Sequence, residues 1–130
     1  MKFTEREMTV AVKAVAQQLM LATRPLGRGS VDARWDRLAP IERYEKLSAA
    51  GDLVLPVLLA LPERPTVGAT PAFTAEEYDA AAGEAADARG EQTPKARKRL
   101  VAVTARLARA AVAAMPVRQD PDALIVPDHL

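Results

Sequence analysis

Apolar side chains recur every three or four positions along most of this chain, and each run is bounded by residues that start or stop helices. Thr4 and Glu7 are spaced as a capping box, and Phe3 and Met8 as the staple around it. Met8, Val12, Val15, Leu19 and Ala22 continue at helical spacing until Pro25 forbids extension, which predicts a first helix over 5–23. Pro25, Gly27 and Gly29 make 24–30 a loop. Trp35, Leu38, Ile41, Tyr44 and Leu47 then keep an i, i+3 beat, read as the buried side of two short helices split or kinked at Pro40.

Gly51 reads as a left-handed stop and Asp52 as the next N-cap, so 53–61 is expected to be a separate helix. It is apolar on all sides and should form the centre of a bundle. A buried strand is the rival there, but Pro56 would remove a ladder donor and no second strand is evident to pair with it. Beyond a Pro-rich loop, Phe73, Thr74, Glu77 and Tyr78 repeat the staple and box of the N-terminus, opening a helix over 75–89 that Gly90 ends. Its inward side is Tyr78, Ala81, Ala82 and Ala85. Thr93 and Pro94 start the longest helix, which runs to Met115 ahead of Pro116. The expected architecture is a single all-α bundle of five or six helices over 1–116. An extended tail over 117–130 is expected to lie on the bundle or on a partner through Leu124, Ile125 and Val126, which Pro121 and Pro127 bracket.

Composition narrows the chemistry. The 130 residues suit one domain, and the 49% hydrophobic content suits a folded one. Eighteen Lys and Arg against 17 Asp and Glu give a net charge of +1, so any charge-driven partner must use a local patch. With no Cys, disulfides, thiolate nucleophiles and cysteine-rich zinc sites are excluded. The N-terminus has no signal-peptide pattern, and the longest apolar run is about half of the roughly 20 residues that a membrane helix needs. A cytoplasmic location is the expectation, with no membrane partner.

The most visible charged feature is a stripe on the last helix, where Lys95, Lys98, Arg99, Arg106 and Arg109 line up opposite Leu100, Thr104, Leu107, Ala111 and Met115. Such a stripe suits phosphates of a nucleic acid. The preceding helix, however, carries Glu76, Glu77, Asp79, Glu84 and Asp87, so an antiparallel hairpin with complementary flanks explains the same charges and disfavours nucleic acid. The loop Leu-Gly-Arg-Gly-Ser at 26–30, with Arg24 and Arg28, has amides for an anion, but no phosphate-loop Lys follows and no strand precedes it. An ordinary connection is the expectation.

His129 with Asp120, Asp122 and Asp128 is read as a solvated end rather than a metal site. Ser30 and Ser48 lack a sequence-near His and an elbow motif, and Glu42 and Glu45 among Arg43 and Lys46 read as a salt-laced surface. Trp35 and Tyr44 are expected as anchors of the core, not as a ligand pocket. No catalytic residue, cofactor or metal ligand is assigned. The Ala-rich faces bury little area each, so association gains weight. The expectation is a non-enzymatic interaction module with a protein partner or a second copy of itself. A nucleic-acid-associated protein using the helix over 95–109 is the alternative, and an enzyme with an apolar pocket a less favoured third.

Overall fold

The computed structural model describes residues 1–25, 27–64 and 68–117. Among them are five helices and no strand: α1 (Glu5–Thr23), α2 (Val31–Asp36), α3 (Pro40–Ala60), α4 (Ala75–Ala88) and α5 (Pro94–Ala114). The all-α architecture is thus as the periodicity predicts. Residues 118–130, with Leu124, Ile125 and Val126, lie outside the described residues.

Three helix starts follow from local chemistry. Thr4, Thr74 and Thr93 each accept a bond from the amide three residues on, and Glu7 and Glu77 reach back to complete boxes on α1 and α4. Ser30 caps α2 in the same way, its hydroxyl accepting from the Ala33 amide at 3.1 Å. At α3, Ala39 has no side chain to cap with, so Pro40 supplies the preset first turn and Glu42 accepts from the Ala39 amide. Gly90, at φ +111°, makes the turn after α4.

The separate helix expected over 53–61 is not found: α3 runs unbroken through Gly51 and Asp52 for 21 residues. Gly51 is buried, and a Cβ placed there would stand 3.5 Å from Leu55 and 3.9 Å from Val12, so this glycine lies where α1 and α3 approach closely. The α-helix continues because Ala50, Val54, Val57 and Leu58 share one inward face, whose burial outweighs the roughly 1 kcal/mol that glycine costs in a helix interior. Pro56 is accommodated as well. It has no N–H for the Asp52 carbonyl four residues back, and that carbonyl instead accepts from the Arg89 guanidinium at the end of α4.

Helices α1, α3, α4 and α5 form the bundle, with α1 against α3 and α5, α4 against the same two, and α3 touching α5 across the diagonal. Point contacts set their directions. The terminal ammonium of Met1 donates to the carbonyls of Leu58, Leu59 and Leu61, pinning the start of α1 to the end of α3. Arg64, just after α3, pairs with Glu77 in the first turn of α4, while Arg89 at the other end of α4 reaches Asp52. Leu58, Val15, Val54 and Val57 are the largest fully buried side chains, and Ala11, Ala16, Ala82, Ala108 and Ala111 fill the seams.

The hairpin of α4 and α5 closes beside Asp52, halfway along α3. The first three turns of α3 therefore run on past it, accompanied by the end of α1 and by α2, and no residue of α3 before Ala50 is buried. This corrects the i, i+3 beat. Trp35 is buried and Leu38 and Leu47 partly so, but Ile41 and Tyr44 are 62% and 67% exposed, and Tyr44 is not a core anchor. The beat fails because it runs across Pro40: residues 35 and 38 belong to α2 and the link after it, whereas 41 and 44 take their phase from a new helix.

Candidate interaction surface

On α3, residues 41, 44, 48, 52, 55 and 59 fall within one narrow sector of the helix, because their spacings of three and four keep pace with its turn. Ile41, Tyr44 and Leu59 in this sector are 62%, 67% and 59% exposed, and Leu55 is partly so. They are three of the five large hydrophobic side chains most open to solvent among the described residues. Ser48 and Asp52, small and polar, occupy the middle of the line. Met8 and Val12 of α1 lie half buried, and Val12, at the Gly51 and Leu55 edge of α3, widens the apolar strip toward α1.

The basic stripe of α5 faces outward. Lys95, Lys98, Arg99, Arg106 and Arg109 are all exposed, while Thr104, Leu107, Ala111 and Met115 on the opposite side are buried and Leu100 partly so. The acidic helix beside it engages Arg97, which is off the stripe: Nε of Arg97 donates to Asp87 at 2.7 Å and Nη2 at 3.2 Å. That pair holds the Asp87 carboxyl below its ordinary range. Arg109 lies over the Tyr78 ring at 5.3 Å, and burial pushes the Tyr78 phenol up. Lys95, Lys98, Arg99 and Arg106 make no ion pair with any described residue.

Other sequence candidates fall into structural roles. The Ser30 hydroxyl is spent on its cap, and Ser48 stands exposed on the α3 strip. Glu42 and Arg43 do not form the salt-laced surface expected of them: Glu42 caps α3, and Arg43 donates to the carbonyls of Asp36 and Leu38 that end α2. No group of three or more His, Asp or Glu side chains among the described residues is placed to hold a metal, and Asp120, Asp122, Asp128 and His129 lie outside those residues. None of the described helices is long and apolar enough to cross a membrane. Comparison with family models, characterised proteins and solved structures returns no match to this chain.

Proposed function

We propose that this protein acts without catalytic chemistry, as a helical interaction module that pairs with a second copy of itself through the outer strip of α3. The observation that carries the reading is the exposure of Ile41, Tyr44 and Leu59 along one line of a single helix. Exposed apolar side chains scattered singly are ordinary, but a line of them about 27 Å long at helical rise is a docking face. The strip is also self-complementary. Turned about the middle of α3, near Ala50, it places Ile41 over Leu59, Tyr44 over Leu55 and Ser48 over Asp52 of the other copy, so both apolar ends meet apolar ends. In the middle, the Ser48 hydroxyl is positioned to donate to the Asp52 carboxylate across the axis. A two-fold antiparallel pairing of this kind closes on itself and leaves no strip open for further growth.

Light scattering or sedimentation of the wild-type chain is expected to give twice the chain mass, and Tyr44→Asp with Leu59→Asp to give a single chain with an unchanged helical spectrum. Because the chain has no Cys, the register is directly readable. Mixing Ser48→Cys chains with Asp52→Cys chains under mild oxidation should give the mixed disulfide in preference to either symmetric one. A wild-type monomer at high protein concentration would overturn the pairing, and preference for a symmetric disulfide would overturn its register.

The bare cations of α5 favour a second reading, in which Lys95, Lys98, Arg99 and Arg106 lie along a phosphate backbone. Its mark is binding to duplex DNA that is insensitive to sequence and falls steeply with added salt.

A further inference from the structure

Away from the α3 strip, at the end of the molecule beyond the hairpin, the last turn of α1, the loop before α2, α2 itself and the first turns of α3 line a half-open cavity of about 330 Å³. Arg24, Arg28, Arg34, Arg37 and Lys46 line it, with Glu42 as the single acid. Five bases from the loop, α2 with its C-cap, and α3 thus face one space, and the one carboxylate among them is already accepting the Ala39 amide at the start of α3. Like charges gathered in a small concave space raise one another's energy unless an anion joins them.

The surrounding chain is shaped to hold these groups. Arg34 donates through Nη2 to the Arg24 carbonyl, and Arg37 through Nη2 to the Arg28 carbonyl at 2.6 Å, so α2 grips the loop from two points. Each guanidinium carries five N–H donors, and those bonds leave others to face the cavity. The Arg34 side chain lies across Gly27 so closely that a Cβ there would stand 2.6 Å from its Nε. Gly29, at φ +87°, turns the chain back toward Ser30. Within the Gly-Arg-Gly sequence, then, the first glycine makes room for a guanidinium and the second bends the loop that presents Arg28. Met20 and Leu38 contribute apolar surface to the lining.

We infer that this cavity binds a compact oligophosphate, a chain of two or three phosphoryl groups, either free or as the tail of a nucleotide. A lone phosphate would leave most of the five cations unmatched, whereas the several negative charges of a diphosphate or triphosphate balance them within a space of this size. Planar guanidinium forks match phosphoryl oxygens two at a time, which suits a site in which four of the five bases are arginine. The site does not depend on self-pairing through α3, and its test is separate.

Calorimetric titration of the full chain with inorganic pyrophosphate and inorganic triphosphate at low salt should show one site per chain, with triphosphate also raising the melting temperature. Arg24 and Arg28 are exposed, so Arg24→Gln with Arg28→Gln keeps the fold, which circular dichroism checks, and should weaken triphosphate by roughly tenfold or more. Arg37→Lys, keeping the charge and losing the fork, should weaken it by less. Arg6→Gln with Lys13→Gln, exposed on α1 and outside the cavity lining, should leave it unchanged. Adenosine triphosphate binding as tightly as triphosphate marks the phosphate chain alone as the ligand, and tighter binding marks a nucleotide. Absence of both heat and melting shift at millimolar triphosphate, or an equal loss in the α1 variant, would overturn the site.

Discussion

Pro56 sits in mid-helix without breaking it, and the reason lies 33 residues further along the chain. Its missing N–H leaves the Asp52 carbonyl without an intrahelical donor, and Arg89 fills that place while also tying the end of α4 to the middle of α3. The two residues should therefore be energetically coupled. Arg89→Ala is expected to cost more in the native chain than in a Pro56→Ala background, where the backbone amide returns and takes the carbonyl itself. The difference should be about 0.5–1.5 kcal/mol, the usual net worth of one hydrogen bond, read by denaturant unfolding of the four chains of the cycle. Such a partnership is invisible to local reading, since it joins a helix interior to a distant C-cap. The same holds for Gly51 and Asp52, whose sequence is that of a stop followed by a cap. Only the burial of Ala50, Val54, Val57 and Leu58 on a common side shows why the helix runs through them.

Among the elements, the α4–α5 hairpin was nearly as legible as α1, whose expected bounds over 5–23 are met to the residue. Thr74, Glu77, Gly90, Thr93 and Pro94 mark its boundaries by chemistry confined to a few neighbouring residues, and the structure places the helices within a residue of those marks. Its electrostatics have a definite sign. The Thr74 amide, and then Arg64, hold the Glu77 carboxyl below its ordinary range, and the Arg97 fork does the same for Asp87. A carboxyl lowered by folding contributes stability above its unfolded value, near pH 4, and loses that contribution as pH falls through the folded value. Melting temperature should accordingly fall on the acid side, between about pH 5 and pH 2. Glu77→Gln with Asp87→Asn should flatten that limb, leaving neutral pH as the place where variant and parent differ most. Asp87 faces solvent and Glu77 is partly exposed, so added salt should shrink the difference.

For the whole molecule, the all-helical class and the two faces of α5 followed from periodicity, but the α3 strip and the cavity did not. Exposure of Ile41 and Tyr44 depends on where the hairpin ends against α3, a length match between elements that no spacing within α3 records. The five cavity bases were half seen: Arg24 and Arg28 stood beside the glycine loop, whereas Arg34, Arg37 and Lys46 join them only once α2 and α3 fold back over it.

That mismatch in length also divides the molecule by how readily its parts open. Every buried residue of α3 falls within 50–58, in a helix packed against α1, α4 and α5, whereas 40–49 bury none and are tied to the end of α2 through Arg43. Amide exchange followed by mass spectrometry should show slow uptake over 53–60 and distinctly faster uptake over 42–49 in the monomeric Tyr44→Asp, Leu59→Asp chain, since few buried contacts restrain that end from local unfolding. Uniform protection along α3 would contradict this. Under the proposed self-pairing, the fast segment of the wild-type chain should slow as protein concentration rises, because a second copy laid along it would bind only its folded form. The unsupported half of one helix would then serve as a gauge of how many copies of the protein are nearby.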